Sequence, residues 1–378
     1  MRILILANAR YSGGLSGSDA IYESFLKYWP EDITARTMMD IDYKPFFVCY
    51  IHRIVKAYWH AITDRNKYDM VYSASDFMMD VIPALVYQAK GSKWVAGFFL
   101  KAQKYNHLHR ISQLFCRRWI EKFSDMVIVT NPTMFYLFPN KKLTWINGGI
   151  EEKYLNFSKE EKIYDIVFCG RLHKTKGLEN ILSLWPLIKN SNPKARMAII
   201  GDGDLGIQYY KNLISSVMAF QSSDIDFLGF MGEERFEIYR KSKFVIYPTS
   251  IEHDHFSMAP LEAMACGCPM FCFCLNTVKS IAGWNKGIIY CDNLIDMANK
   301  IIRAIQYYDK NEIAFEYAGE SMTMFESSIE AFELSKRFKY KEQSMRVYND
   351  IRGLANENID NGRAGNGWDS LMRGIKSA

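Results

Sequence analysis

The twelve residues Ile166-Val167-Phe168-Cys169-Gly170-Arg171-Leu172-His173-Lys174-Thr175-Lys176-Gly177 decide how this chain is read. Four consecutive apolar residues fit a strand covered on both faces, and a helical pattern over 177–188 opens directly after the loop. A strand-to-helix turn presents backbone N–H groups without partners at the positive end of a helix dipole. Arg171 adds a planar guanidinium fork and Lys176 a point charge, a combination that suits phosphate oxygens. Taken alone, a basic loop of this spacing is more often a solvated surface turn. The surrounding sequence has to discriminate.

Working outward, the same alternation continues on both sides. Downstream, apolar runs at 196–200, 225–228, 244–247, 270–273 and 287–290 read as strands, with helical patterns at 205–217, 233–241, 258–266 and 294–307. Upstream, strands are expected at 3–7, 33–37, 70–73, 94–99, 126–130 and 143–146, with helices at 19–28, 46–62, 81–88 and 108–122. Such βαβ alternation implies parallel sheets with right-handed crossovers. Asn147-Gly148-Gly149 interrupts the pattern, and the charged stretch 151–162 has no strand-like core, so it reads as a linker. The expectation is an α/β chain of two doubly wound, Rossmann-like domains, 1–150 and 151–340, with a polar, glycine-rich mobile tail over 355–378. Domains of this kind bind ligands at the carboxyl ends of their strands, and two facing each other make a cleft.

A second segment follows the strand at 244–247: Glu252-His253-Asp254-His255-Phe256-Ser257-Met258-Ala259-Pro260-Leu261-Glu262-Ala263-Met264-Ala265-Cys266-Gly267-Cys268-Pro269. It contains a turn, a helix of about three turns and a Gly/Pro stop. Asp254 and Glu262 can sit at different depths of one cleft, one near a sugar and one near a ribose. Ser257 suits an N-cap, with the N–H groups behind it facing the same cleft. Taken alone, Asp254 is equally a cap and Glu262 an exposed helix residue.

Together these segments resemble the retaining GT-B glycosyltransferases of family four. That family's pattern is a glycine-rich loop after the first strand, then G-R-L-x-x-x-K-G, a strand ending G-D-G, and P-S-x-x-E-G-F-G-x-x-x-L-E-A-M-A-x-G-x-P. The counterparts are Gly13-Gly14, residues 170–177, Gly201-Asp202-Gly203, and Pro248-Thr249-Ser250 onward to Pro269. Leu228-Gly229-Phe230 resembles the segment beside the nucleobase, and Arg337-Phe338-Lys339-Tyr340 the closing segment before the last helix. The resemblance spans about residues 163–354 by motif and the first half by topology.

It implies roles residue by residue. Arg171 and Lys176 would hold the donor diphosphate and offset charge on the leaving group. Glu262 would accept hydrogen bonds from the ribose hydroxyls, and Asp254 would contact the transferred sugar. The amides around Phe256, Ser257 and Met258 would add phosphate donors, Phe230 would lie beside the base, and Gly14 would let the first loop approach the phosphates. The implied reaction moves a hexose, with retention, from a nucleoside diphosphate sugar of UDP or GDP type to a hydroxyl of a glycan or lipid-linked acceptor, as in bacterial surface polysaccharide synthesis. Because protein cations do the electrostatic work, neither metal nor cofactor is implied. The donor would bind mainly to the second domain and the acceptor to the first, and a helix over 341–354 would return toward the first domain. The chain departs from the pattern in having Asp254 where the family has Glu, with Glu252 as a competitor for the role. His255 and Ser257 replace glycines, and the fourth strand carries no histidine after it.

Composition bounds the alternatives. The chain has 378 residues, of which 49% are hydrophobic, 15% aromatic and 24% charged, which excludes disordered, collagen-like and coiled-coil classes. Eight cysteines without a C-x-x-C pair speak against a disulfide framework or zinc ribbon and for a reducing, cytoplasmic setting. The cluster Cys266, Cys268, Cys272 and Cys274 reads as small core residues around a buried strand. The opening apolar run, residues 3–7, is too short for a signal or membrane segment.

The net charge of +5 divides unevenly, with 19 Lys/Arg against 12 Asp/Glu in residues 1–150 and 28 against 30 in the remainder. Basic residues interleaved with aromatic ones at 46–62 and 90–122 suit an anionic membrane surface, and equally a solvated face over aromatic core. No nucleic-acid module is recognisable. The rival functions are a nucleotide-sugar epimerase on a similar frame and a catalytically weak glycosyltransferase-like partner subunit. An NAD-dependent oxidoreductase is disfavoured, because no G-x-G-x-x-G follows the first strand.

Overall fold

The computed structural model describes residues 1–10, 17–38, 40–99, 107–157, 160–203, 206–217, 224–249, 257–308, 310, 312–317 and 320–356. The chain forms two compact units and passes between them at Gly148/Gly149 and again at Lys339/Tyr340.

The first unit contains β1 (Arg2–Leu6), α1 (Gly17–Tyr28), β2 (Asp32–Arg36), α2 (Phe46–Thr63), β3 (Met70–Ser73), α3 (Met78–Ala89), β4 (Lys93–Phe98), α4 (His107–Phe123), β5 (Met126–Val129) and β6 (Lys142–Trp145). The strands pair in parallel in the order β2-β1-β3-β4-β5-β6. Successive strand residues point to opposite faces, and both faces are covered, which is why the strands read as unbroken apolar runs. Leu4, Leu6, Val71 and Ala96 pack under α2, α3 and α4. Ile3, Ile5, Tyr72 and Val95 pack under α1 and the helix Tyr340–Asn356.

That last helix is held to the first unit by side chains far apart in sequence. The Trp29 indole donates to the Ser344 carbonyl at 3.0 Å, the Asn147 amide donates to Gln343 Oε1 at 3.0 Å, and the Trp29 ring lies against Tyr348 with centroids 6.2 Å apart. The helix ends at Asn356. Residues 357–378 of the expected tail lie outside the described residues.

Asp80 lies at the switch point of this sheet, where strand order reverses between β1 and β3. Its carboxylate accepts from the Asn8 amide at 2.6 Å and from the Ser75 hydroxyl, so it pins the turn that leaves β1. Burial raises this carboxyl to about 7 from the ordinary 3.8. The folded chain therefore holds the proton more tightly than the unfolded one. Stability from this group is full below about pH 4 and falls as pH rises toward 7. Asp80→Asn is expected to remove most of that fall, at most about 4 kcal/mol. Urea midpoints of the two proteins across the acid-to-neutral range would test this; equal slopes would place the pH dependence elsewhere.

The second unit contains β7 (Tyr164–Cys169), α5 (Leu178–Ser191), β8 (Met197–Ile200), α6 (Gly206–Val217), β9 (Ile225–Gly229), α7 (Arg235–Arg240), β10 (Ser242–Tyr247), α8 (Met258–Met264), β11 (Met270–Phe273), α9 (Asn276–Ala282), β12 (Ile288–Cys291), α10 (Leu294–Tyr307), β13 (Ile313–Tyr317), β14 (Glu320–Thr323) and α11 (Met324–Lys336). Its six long-range strands are parallel in the order β12-β11-β10-β7-β8-β9, with β13 and β14 as a separate antiparallel hairpin. Helix α9, the hairpin and α11 are absent from the sequence expectation. The stretch 151–162, read as a linker, belongs to this unit: Tyr154 stacks on Phe236 with centroids 3.9 Å apart.

The clustered cysteines pack as core. The Cys268 thiol donates to the carbonyls of Tyr239 at 3.1 Å and Ser242 at 3.3 Å, and burial pushes it up to about 12. All eight cysteines are free thiols. Among the described residues no group of His, Cys, Asp or Glu is placed to hold a metal, and no helix is long and apolar enough to cross a membrane.

Candidate functional site

In the second sheet the strand order reverses between β7 and β10, and the loops leaving these strands diverge there. A crevice at such a point is where open α/β sheets bind ligands. The loop after β7 is the basic segment of residues 170–177; the loop after β10 leads through Pro248 and Thr249 to α8.

Two glycines allow the loops to meet. Gly177 adopts φ +72°, and a Cβ there would lie 2.2 Å from the Pro248 carbonyl oxygen. Gly201, at the end of β8, adopts φ +138°, and a Cβ there would lie 2.0 Å from the Gly170 oxygen. Only glycine tolerates both the left-handed backbone and the close approach. The contact is fastened by hydrogen bonds. The Thr249 hydroxyl donates to the Thr175 carbonyl at 2.6 Å, Asn180 Nδ2 to the Pro248 carbonyl at 2.9 Å, and the Leu172 amide to the Asp202 carbonyl at 3.0 Å. The ends of β7, β8 and β10 are thus knitted into one platform.

Arg171 and Lys176 rise from this platform. Arg171 is exposed and Lys176 half-buried, with its ammonium 6.0 Å from the centre of the Tyr247 ring. Burial first, and the neighbouring Arg171 charge second, hold the Lys176 ammonium below the usual lysine range. Among the described residues no carboxylate lies within ion-pair distance of either cation. Two adjoining positive charges without a counter-charge among the described residues suit an anion.

Glu262 lies on α8 and is only 7% exposed, so the alternative reading of it as an exposed helix residue does not hold. Both its oxygens are engaged by Arg235, from Nε at 2.7 Å and Nη2 at 2.8 Å. The bidentate bonds raise the Arg235 guanidinium above its already high range. The same guanidinium donates from Nη1 to the Gly232 carbonyl at 2.5 Å and lies 4.8 Å over the Phe236 ring. A carboxylate offers about four lone-pair sites, so two remain for ligand hydroxyls. Cys169, the last residue of β7, packs in one cluster with Leu261 and Ala263, the neighbours of Glu262 on α8, so this helix lies beside the strand that leads to Arg171.

Arg235 is the residue that the sequence reading lacked. Its signal was present: Glu262 sits in the otherwise apolar run Leu261–Met264, and a charge in such a run needs a cation partner. Through Gly232, Arg235 also anchors the loop bearing Phe230, which is 84% exposed and so presents a free aromatic face.

Ser257 occupies the N-cap position of α8 but makes no side-chain cap bond, and Met258 opens the helix half-buried. Gly14, Asp254 and Phe256, together with Gly13, Glu252 and His255, lie outside the described residues.

A family model described as glycosyl transferases group 1 matches residues 163–307, from β7 through α10. No curated protein matches the chain. Among solved structures, HepE from Anabaena in complex with UDP-glucose is similar at TM-score 0.67 with 16% identity, covering 93% of this chain and 100% of that one. Sucrose-phosphate synthase from Thermosynechococcus elongatus is similar at TM-score 0.68 with 14% identity, covering 93% of this chain and 98% of that one. The shared fold is GT-B, two Rossmann-like α/β domains each built on a six-stranded parallel sheet.

Proposed function

We propose that the chain is a glycosyltransferase that moves a sugar from a nucleoside diphosphate donor to a hydroxyl group, with retention of configuration. The observation that carries the reading is the pair Arg171 and Lys176, set at the switch point of the second sheet without a carboxylate partner among the described residues, with Glu262 on the neighbouring helix α8. The match of a glycosyl transferases group 1 model to this half supports it. HepE, of the same fold, is known with UDP-glucose bound, which favours a uridine donor for this chain too.

In this reading the two cations hold the diphosphate and offset the charge that grows on its departing oxygen. Donors aimed at developing charge are each worth on the order of 10²–10³ in rate. The free lone pairs of Glu262 take the ribose hydroxyls, and Phe230 offers its ring to the base. The amides at Phe256, Ser257 and Met258 supply further phosphate donors. Asp254 contacts the sugar. Charge on the leaving group is then neutralised by protein side chains, and neither a metal nor a cofactor has a part in the scheme. The first unit takes the acceptor, a glycan or lipid-linked hydroxyl of a surface polysaccharide pathway, and the free thiols suit a cytoplasmic setting.

Thermal-shift screening against UDP-, GDP-, ADP- and CMP-sugars tests the donor site, since a ligand specific for the native state raises the melting temperature. One nucleotide should stand out, and Lys176→Met should abolish its shift. No shift with any nucleotide sugar would count against the proposal. Interconversion of the donor sugar with no acceptor present would instead identify an epimerase.

A further inference from the structure

Helix α2 is built inside out. Cys49, Arg53, Ala57 and Ala61, spaced four apart, are buried against the first unit, so the inward face is made of small residues and one arginine. That arginine is tied down by its own bonds, from Nε to the Ile41 carbonyl at 2.7 Å and from Nη1 to the Arg10 carbonyl at 3.0 Å. The large apolar residues point the other way. Phe47 is 61% exposed, Val55 59% and Trp59 65%, with Ile51 and Ile62 exposed in the same row. Scattered surface apolar residues need no explanation, but a row running the length of an 18-residue helix marks an interaction face.

Helix α4 extends this face. The hydroxyls of Tyr50 on α2 and Ser112 on α4 are 3.2 Å apart, and Ile111, Leu114 and Phe115 of α4 are exposed. The end of α2 is fixed by the Lys90 ammonium, which donates to the carbonyls of Ala61 at 2.7 Å and Asp64 at 2.6 Å. The face is therefore rigidly mounted.

Charge selects the occupant. Helix α2 contains no Asp or Glu, and apart from the buried Arg53, α2 and α4 together hold five Lys/Arg against the single Glu121. A second copy docking on itself would set these cations against each other. A nucleic acid would use the cations and leave the apolar row without a role. An anionic bilayer uses both, since acyl chains receive the apolar row and headgroups the flanking cations. We infer that the outer face of α2, continued by α4, seats the first unit on an anionic lipid surface. The inference stands independently of the proposed glycosyl transfer.

Flotation of the full chain with phosphatidylcholine vesicles, with and without phosphatidylglycerol, tests it directly. The chain should float with the mixed vesicles and far less with phosphatidylcholine alone, and added salt should weaken the association. The double variant Val55→Glu/Trp59→Glu should lower the bound fraction at least about tenfold. Its circular dichroism and melting should stay unchanged, because both side chains already face outward. Arg117→Gln/Arg118→Gln should reduce binding to the mixed vesicles only. The inference fails if the parent chain does not float, if Val55→Glu/Trp59→Glu floats equally well, or if neutral and anionic vesicles bind alike. It fails also if the parent proves to be a dimer that the same substitutions dissociate.

Discussion

Lys176→Met should melt no lower than the parent while turning over its donor at least about a hundredfold more slowly, a loss of about 2.7 kcal/mol in transition-state stabilisation. The two halves of this expectation share one cause. Lys176 is a partly buried cation beside a second cation, and both burial and Arg171 lower its proton affinity. A lysine held this way binds its proton less tightly in the folded chain than in the unfolded one. The parent should therefore gain stability as pH rises through the alkaline range below the ordinary lysine value of 10.5, and the Met variant should lack that gain. A diphosphate supplies a counter-charge and relieves the conflict between the two cations. Donor affinity should accordingly fall as pH rises through the same range in the parent, and be both weak and less pH-dependent in the variant. Arg171→Ala should show a comparable loss of turnover with unchanged melting, because its side chain is exposed. A correctly folded Lys176→Met enzyme of parental rate would remove the diphosphate from this loop. A variant that melts well below the parent would make Lys176 a structural residue instead.

Most of the fold is legible because the inner strands of both large sheets are covered on two faces. Residues 166–169 and 126–129 carry no alternation, and such runs are unmistakable when turn residues bound them. What escaped notice lacks that signature. Helix α9 is only seven residues long, and β13 pairs only with β14. Helix α11 did announce itself: Thr323 and Glu326 form a capping box, visible as T-x-x-E before the helix. The inversion of α2 was illegible for another reason. Its sequence is apolar on nearly all sides, and period alone does not say whether Cys49, Ala57 and Ala61 or Phe47, Val55 and Trp59 turn inward. Cys49, Ala57 and Ala61 turn inward where α2 lies close against the neighbouring α3. At the site, Arg171, Lys176 and Glu262 were legible as an ordered series of motifs. Arg235 was not, since its tie to Glu262 spans 27 residues and exists only once α7 packs on α8.

That tie yields the largest expected effect on stability. Arg235→Ala leaves the Glu262 carboxylate, 7% exposed, without its cation. Removing one partner of a buried pair costs about 3–5 kcal/mol, because the other charge stays behind in a poor solvent. In a unit of this size that corresponds to a drop of roughly 6–20 °C in the calorimetric transition of the second unit. Glu262→Ala should cost less, because Arg235 keeps its bond to Gly232 and reaches more solvent. The double variant Arg235→Ala/Glu262→Ala should be distinctly less destabilised than the two single costs added together, since it strands no charge. Replacing the pair with Met and Leu should restore most of the melting temperature. None of the variants that lack Glu262 should recover turnover, because ribose hydroxyls would have lost their acceptor; each should stay at least about tenfold below the parent. Arg235→Lys separates charge from geometry. An ammonium keeps the charge but not the two parallel bonds, so melting should largely recover while the Michaelis constant for the donor stays raised. Strictly additive single-variant costs would show that Arg235 and Glu262 act separately. Full turnover in Arg235→Ala/Glu262→Ala would show that the pair only packs α7 against α8 and leaves the donor untouched.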